Sequence, residues 1–365
     1  MNPVEKWLNK DVASIVPYEP GRPIEEVARE MGMTPESISK LASNENPLGP
    51  SPLALEAMKV HARDMYLYPD GGAYYLRTKL AETFGVNMKQ VVLGNGSNEI
   101  LEFIGHCFMG KGRSIVMSAH AFVIYKLIAR MFNAEVKEIP TQERLDHDLE
   151  SMAAAIDNTT CAVFVCNPNN PTGTLVRQAE VEAFLAKVPE HVLVVFDEAY
   201  AEIALGPMPD TLNIVKSRPN CIMLRTFSKA YGLAGLRIGY GIGSEAIVES
   251  LQKARQPFNA NRMAQEAALA ALDDASFLRD SRAHFEASKE FLEGACEEMG
   301  IEYVPTYANF LLIKVGAGAE VTKKLTEKGV IVRPMAGYGL PQYIRVSFGR
   351  QEENKRLVRE LRAVV

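Results

Sequence analysis

The stretch VLVVFDEAY, residues 192–200, begins with five apolar residues and ends in a cluster of polar ones. An apolar run without polar alternation is typical of a strand that is covered on both faces, as in parallel sheets. Six further short, mainly apolar runs alternate with helix-length amphipathic segments, at residues 90–93, 114–117, 135–139, 162–166, 221–226 and 238–242. Strands that alternate with helices predict crossover units, and therefore an α/β fold with a mainly parallel central sheet.

The pattern changes after residue 243. A long helical stretch at 244–300, broken near Pro257, precedes two strand-like segments and two further helices. The strands are expected at 309–315 and 343–348, and the helices at 319–328 and 352–364. This mixture predicts a smaller α+β domain at the C-terminal end.

The first 50 residues are rich in Pro, Gly and Asn, and these residues interrupt regular helices. We expect an arm there, with one short helix at about 24–32. The chain is therefore divided into an N-terminal arm (1–50), a large domain (51–255) and a small C-terminal domain (256–365).

Composition disfavours several classes of protein. The chain has 365 residues, 47% of them hydrophobic, and no apolar run that approaches the roughly 20 residues of a membrane span. Its 40 Lys+Arg and 45 Asp+Glu leave a net charge of −5 without a basic stripe, which disfavours a general nucleic-acid binder. The five cysteines show no metal-binding spacing and residues 1–10 contain no long apolar segment. We therefore expect reduced thiols, no bound metal and a cytoplasmic location.

Three of the predicted strands end in polar segments that one site could share. The sequence NPNNPTG follows one strand at 167–173, DEAY follows another at 197–200, and FSK follows a third at 227–229. In open α/β sheets, ligands bind outside the carboxyl ends of the strands. Each segment alone has an ordinary explanation, such as a turn for NPTG or a helix start for Ser-Lys. Their order and spacing together indicate a functional site.

Further motifs extend this series along the chain: KLASNENP at 40–47, YPD at 68–70, GNGSNE at 94–99, GLR at 235–237 and YIRVS at 343–347. With these motifs the chain resembles the fold-type I pyridoxal-5′-phosphate (PLP) aminotransferases, and within them the histidinol-phosphate aminotransferases, from about residue 10 to residue 360. The resemblance implies a fold-type I PLP-dependent transferase, with a large domain around a mainly parallel central sheet, a smaller α+β domain and an N-terminal arm.

The resemblance also implies roles for individual residues. Lys229 is the implied catalytic residue, which attaches PLP through its amine and moves protons during the reaction. Asp197 matches the carboxylate beside the ring nitrogen, and at about 4 Å and an effective dielectric of about 20 such a pair is worth about 4 kcal/mol. The other implied cofactor ligands serve the ring, its 3-oxygen or the phosphate: Ser97, Asn98, Phe122, Asn170, Tyr200, Thr226, Ser228, Arg237 and Tyr68.

The implied substrate-binding residues come from the arm and the small domain: Tyr18, Asn44, Arg333 and Arg345. Arg345 matches the family's arginine for the substrate α-carboxylate, which suits the planar guanidinium group. Histidinol phosphate has no carboxylate, so it stays open whether Arg345 binds a carboxylate, a phosphate or both in turn. Tyr68 matches a tyrosine that reaches the cofactor phosphate of the neighbouring subunit, which implies a homodimer.

The implied reaction converts L-histidinol phosphate and 2-oxoglutarate into imidazole acetol phosphate and L-glutamate, a step of histidine biosynthesis. Its partners are small molecules, without a nucleic acid or a membrane. Three alternatives stay open: an aromatic amino-acid (phenylalanine or tyrosine) aminotransferase, a PLP decarboxylase of a phosphorylated amino acid, and a catalytically silent binding module. The six histidines show no metal-ligand spacing, and Ser228-Lys229 lacks the Ser-x-x-Lys spacing of acyl-enzymes.

Overall fold

The structure, a computed structural model, describes residues 6–8, 10–13, 15, 17 and 21–365. In chain order its strands are β1 (Ser39–Lys40), β2 (Val91–Gly94), β3 (Ser114–Ser118), β4 (Glu135–Ile139), β5 (Thr160–Cys166), β6 (Leu193–Asp197), β7 (Cys221–Thr226), β8 (Gly239–Gly243), β9 (Tyr303–Val304), β10 (Phe310–Lys314), β11 (Val330–Ile331), β12 (Arg333–Pro334) and β13 (Tyr343–Ser347). Its α-helices are α1 (Lys10–Ala13), α2 (Ile24–Met31), α3 (Pro52–His61), α4 (Tyr74–Phe84), α5 (Ser97–Phe108), α6 (Ile124–Met131), α7 (Leu149–Ala154), α8 (Gln178–Leu185), α9 (Thr211–Ser217), α10 (Glu245–Ala254), α11 (Arg262–Ala271), α12 (Ala275–Met299), α13 (Gly318–Glu327) and α14 (Gln351–Arg362).

A seven-stranded sheet has the order β2-β8-β7-β6-β5-β3-β4. The pairs from β7 to β4 are parallel, whereas β8 is antiparallel to both of its neighbours. All seven predicted runs are strands of this sheet, with boundaries that differ by at most two residues. The predicted α/β fold with a mainly parallel sheet is confirmed.

Two apolar cores cover the two faces of the sheet. Successive side chains of a strand point to opposite faces. In β6, Val194 and Phe196 accordingly join the core with α8, α11 and α12, whereas Leu193 and Val195 join the core with α5, α6 and α10. Because both faces are covered, the strand contains no polar residue until Asp197 at its end.

The helical stretch expected at 244–300 is three helices, α10, α11 and α12. The break predicted near Pro257 is present, but the second break, at residues 272–274, was not predicted. Asp274 ends this break as the N-cap of α12, where its carboxylate accepts a hydrogen bond from the backbone N–H of Phe277. A short cap inside an apolar periodic stretch leaves a weak signal in the sequence.

A four-stranded antiparallel sheet of order β12-β13-β10-β9 forms the C-terminal part of the chain. The arm contacts this part through β1, which pairs in parallel with β11, and through Val27 and Ala28 of α2, which pack with Ile331. The two-residue strands β1, β9, β11 and β12 were not predicted. In the described part of the chain, no helix is long and apolar enough to cross a bilayer. The domain boundaries at 50 and 255 stay a prediction.

The Asp274 cap gives a test of the packing between the two halves of the chain. Its carboxylate also accepts a hydrogen bond of 2.6 Å from Ser51, the N-cap of α3. We expect Asp274→Ala to lower the free energy of unfolding by about 2 kcal/mol, because a cap and a buried acceptor are lost together. Urea unfolding measures the loss.

Asp273 provides the matched control, because this neighbour makes only a surface ion pair with Lys79 among the described contacts. Asp273→Ala should cost less than about 1 kcal/mol. Equal losses in the two variants would show that the cap contributes no more than a surface charge.

Candidate active site

The polar ends of β5, β6 and β7 lie side by side at one edge of the sheet. Cys166, the last residue of β5, is in register with Asp197, which in turn is in register with Leu224 of β7. The loop after β5 contains Asn170 and the loop after β7 contains Lys229. The sheet therefore brings together the three segments that the sequence analysis singled out.

Asp197 is 3% exposed, and its two carboxylate oxygens differ in their hydrogen bonding. Oδ2 accepts a hydrogen bond of 2.6 Å from the hydroxyl of Tyr125, on α6. Oδ1 is buried and has no hydrogen-bond partner among the described residues. Burial raises the pKa of Asp197 to about 6, and the Tyr125 hydroxyl opposes the increase. A buried acceptor without a donor is costly, so Oδ1 is suited to a ligand that donates a proton or carries positive charge.

Lys229 offers a reactive amine at the same edge. Its Nζ donates a hydrogen bond of 3.2 Å to the Ser43 carbonyl oxygen and lies 5.9 Å from the centre of the Tyr200 ring. Burial lowers the pKa of Lys229 to about 8; the charges of Arg345 and Arg237 act in the same direction, and the charge of Glu45 opposes them. About a tenth of the Lys229 amine is therefore neutral, the nucleophilic form, at pH 7, whereas a lysine of ordinary pKa would be almost entirely protonated.

Tyr200 and Asn44 form a buried polar contact between distant parts of the chain. The Asn44 amide donates a hydrogen bond of 3.0 Å to the Tyr200 hydroxyl, and its Oδ1 accepts one of 2.9 Å from Ser347 on β13. Burial raises the pKa of Tyr200 well above its ordinary value. Asn44 was predicted to contact the substrate. In the structure, the nitrogen and the oxygen of its side-chain amide both contact protein groups.

Arg345 is 6% exposed and is held from two sides. One of its guanidinium nitrogens donates to Asn170 Oδ1, and another donates to the Ala42 carbonyl oxygen at 2.8 Å. Its Nε is buried without a partner among the described residues. Arg333 is directly opposite Arg345 in the register of β12 and β13. Two like charges at opposed positions of a sheet are unfavourable, and an anion between them would offset this repulsion.

Ser97 and Asn98 lie in the first turn of α5. The first N–H groups of a helix have no partner within it, so they are suited to a phosphate. A Cβ on Gly239 would lie 2.4 Å from the Ser97 nitrogen, and one on Gly96 would lie 2.7 Å from Arg237 Nη2. Glycine at these two positions lets the β8 backbone and the Arg237 guanidinium approach the helix end.

Two hydroxyl groups lie beside this helix end. Thr226, the last residue of β7, is in register with Gly239, and its hydroxyl is 3.0 Å from that of Ser228. Through Gly239 and Gly96, these hydroxyls and Arg237 lie near the N-terminal end of α5, where its first N–H groups are also available as donors. Such a set of donors matches the oxygens of a phosphate group.

Three aromatic residues of the prediction differ in their placement. Phe122 is half-buried and meets the Tyr125 ring edge-on, with 5.7 Å between ring centres. Tyr68 is 81% exposed and stacks on Phe258. Tyr18 lies outside the described residues.

Tyr125 is a site residue that the sequence analysis missed. The only sequence signal is its position three residues after Phe122, on the buried face of a short amphipathic helix. This position is equally typical of a core aromatic, and the contact with Asp197 depends on how α6 packs on the sheet.

A cavity of about 670 Å³ lies between the arm, α6 and the small sheet. It reaches Ala42 and Arg333, next to Arg345. The charged side chains among its described lining residues are all cationic: Arg22, Lys126, Arg130 and Arg333. Arg22 is paired with Glu26 and Glu30, and Lys126 with Glu138, so the suitability of the cavity for an anionic ligand depends mainly on Arg130 and Arg333.

Comparison with known proteins agrees with this geometry. Residues 36–361 match the sequence model of the family "Aminotransferase class I and II". The chain is 49% identical to the histidinol-phosphate aminotransferase of Akkermansia muciniphila over 99% of both chains, and 46% identical to histidinol-phosphate aminotransferase 2 of Pseudomonas aeruginosa over 97% of this chain and 96% of that one. Its fold is similar to that of the Sinorhizobium meliloti histidinol-phosphate aminotransferase in complex with pyridoxal-5′-phosphate, with a TM-score of 0.88 and 27% identity over 98% of this chain and 97% of that one. The chain belongs to the class I and II aminotransferases.

Proposed function

We propose that this protein transfers the amino group of L-histidinol phosphate to 2-oxoglutarate, with PLP as its cofactor. The products are imidazole acetol phosphate and L-glutamate, and the reaction is a step of histidine biosynthesis. One observation supports the proposal most strongly: a nucleophilic amine, a buried carboxylate with one unpartnered oxygen and a phosphate-sized set of donors meet at one edge of the sheet. The similarity to enzymes of that name supports the choice of substrate.

The residues at this edge fit PLP group by group. The α5 N–H groups, Arg237 and the hydroxyls of Thr226 and Ser228 suit its phosphate. The unpartnered Oδ1 of Asp197 suits the protonated ring nitrogen. Asn170 and Tyr200 suit the 3-oxygen, Phe122 suits the face of the ring, and Lys229 suits the aldehyde carbon.

Bound PLP supplies an electron sink that stabilises negative charge at the substrate α-carbon. The Lys229 amine would hold the cofactor, and with an amine substrate bound it would take up the proton of the substrate α-carbon and give it back to the cofactor carbon. Its lowered pKa keeps the amine able to accept this proton near neutral pH. Asp197 holds a proton on the ring nitrogen by charge attraction, in a site that excludes water.

The two arginines of the small sheet are assigned to the anionic end of the substrates. Arg345 and Arg333 lie opposite each other, and the cavity at Arg333 has only cationic charged groups among its described lining residues. We assign Arg333 to the phosphate of histidinol phosphate. We assign Arg345 to the α-carboxylate of glutamate in the second half-reaction, and to the phosphate in the first.

We also propose that the active form is a homodimer in which Tyr68 reaches the phosphate site of the second subunit. An exposed apolar patch supports this proposal, because such patches mark interfaces. Its side chains are all largely exposed: Met65, Tyr66, Leu67, Tyr68, Tyr74 and Tyr75. The proposed location is the cytoplasm, and the five free cysteines support a reducing compartment.

Lys229→Ala should abolish transamination while leaving the fold and the oligomeric state intact, because only the tether and the proton carrier are removed. Turnover with histidinol phosphate and 2-oxoglutarate, together with size-exclusion chromatography, measures both effects. Lys253→Ala, at an exposed position of α10, is the control and should keep full activity. Unchanged turnover in Lys229→Ala would contradict the whole assignment.

Covalent capture of PLP by the cofactor-free protein should become faster as the pH rises and should level off at about pH 9. Only the neutral amine attacks the aldehyde, and the pKa of Lys229 is lowered from 10.5 to about 8, so the neutral fraction is about half at that pH and nearly complete one unit above it. Stopped-flow absorbance measures the rate. A rate that still increases in proportion to hydroxide concentration between about pH 9 and 10 would show an ordinary lysine pKa.

The substrate assignment predicts a selective effect of Arg333→Ala. In a single-turnover absorbance assay we expect its rate with histidinol phosphate to fall about 100-fold, because a charge-assisted contact is worth about 1.5–3 kcal/mol. The rate with glutamate should change less than about threefold. Arg359→Ala, on the exposed surface of α14, is the control. A parent enzyme that reacts faster with phenylalanine than with histidinol phosphate would instead be an aromatic amino-acid aminotransferase.

A further inference from the structure

We propose that Tyr125 is a positioning residue for the proposed reaction: its hydroxyl fixes the Asp197 carboxylate through Oδ2 and leaves Oδ1 for the cofactor ring nitrogen. This inference rests on the proposed function, but the contact between the two side chains does not. The hydroxyl of Tyr125 donates to Asp197 Oδ2 at 2.6 Å, a length typical of a hydrogen bond to an ionised carboxylate.

The Tyr125 ring is held rigidly, so its hydroxyl has one position. The side chain is fully buried and stacks on Phe164 of β5, with 4.7 Å between ring centres and 14° between ring planes. The ring also meets Phe122, the proposed stacking partner of the cofactor, at an interplanar angle of 85°. Tyr125 therefore contacts both the residue assigned to the ring nitrogen and the residue assigned to the ring face.

The hydroxyl also acts on the charge of Asp197. Burial raises the pKa of Asp197, and the charge of its neighbour Glu198 acts in the same direction, whereas the Tyr125 hydroxyl and, to a smaller extent, the backbone N–H of Ala199 lower it. The other titratable groups that face this carboxyl are Cys166 on β5 and Tyr200 in the loop after β6. Tyr125, the thiol and Tyr200 all have pKa values raised by burial, so they stay neutral near pH 7. Tyr125 then acts as a neutral donor throughout the working range.

Loss of the Tyr125 hydroxyl should therefore raise the pKa of Asp197 and shift the pH dependence of activity. With the hydroxyl present, Asp197 has a pKa of about 6 and is mostly ionised at neutral pH. Without it, the pKa of the carboxyl rises further, and a larger fraction is neutral at the same pH. A neutral carboxyl attracts the protonated ring nitrogen less strongly, so the acidic limb of the activity profile moves to higher pH.

Tyr125→Phe tests the proposal, because the variant removes the hydroxyl and keeps the ring packing. The first readout is the infrared titration of the Asp197 carboxyl in the cofactor-free protein, identified by its loss in Asp197→Asn. We expect the midpoint to move up by about one pH unit. The second readout is the loaded enzyme, in which kcat at pH 7 should fall about twofold, as the ionised fraction of the carboxyl drops to about half, with KM nearly unchanged and the acidic limb moved upward.

Tyr240→Phe is the matched control. This tyrosine is also fully buried, but its hydroxyl contacts Glu202, at 3.4 Å, and not Asp197. The control should lose some stability without moving the Asp197 titration. A role of Tyr125 in core packing alone would give the same result in both variants.

A second measurement is made on the parent protein and does not depend on how well Tyr125→Phe folds. In the parent protein, the short hydrogen bond should give a downfield proton resonance of the Tyr125 hydroxyl that is absent in Asp197→Ala. An unchanged carboxyl titration in folded Tyr125→Phe, or no such resonance in the parent, would overturn the proposal. Inactivity of the parent with every amine tested would overturn the proposed function and leave these two measurements valid.

Discussion

The burial of the Asp197 carboxylate at the end of a central strand is the constraint on which the site depends. A buried carboxylate without compensation costs several kcal/mol, and two apolar cores leave this one little access to water. The Tyr125 hydroxyl compensates one oxygen. The other oxygen, Oδ1, has no hydrogen-bond partner among the described residues, so a ligand that brings a positive group to it would offset the cost of burial and would gain affinity in this way.

Cationic groups dominate the opposite side of the site. Lys229 is flanked by Arg345 and Arg237, which help to lower its pKa, and Arg333 lies opposite Arg345 on the neighbouring strand. Repulsion among these groups is relieved by phosphate and carboxylate ligands. The same contacts join parts of the chain that are far apart in sequence, since Arg345 of β13 contacts Asn170 and Ala42. An anion that binds Arg345 would therefore also act on the contacts that hold the small sheet against the large sheet and the arm.

Much of the fold follows from local sequence patterns, and so does part of the site. The apolar runs predict all seven strands of the large sheet, because helices cover both of its faces, and the register of β5, β6 and β7 then places Asp197 beside the loops that contain Asn170 and Lys229. The contact between Tyr125 and Asp197 depends on the packing of α6, which no local pattern encodes. The break at 272–274 and the two-residue strand β1 were missed for related reasons, since a single cap residue and two paired residues leave almost no periodic signal.

The central claim is that Asp197 Oδ1 and Lys229 Nζ mark the two ends of a PLP molecule at the carboxyl edge of the sheet. A crystal structure of the protein with PLP tests this claim most directly. The account predicts a covalent bond between Lys229 and the cofactor, with the ring nitrogen within about 3 Å of Asp197 Oδ1, as expected for a charge-assisted hydrogen bond. A cofactor bound elsewhere, or a ring nitrogen that faces another group while Oδ1 stays without a partner, would contradict it.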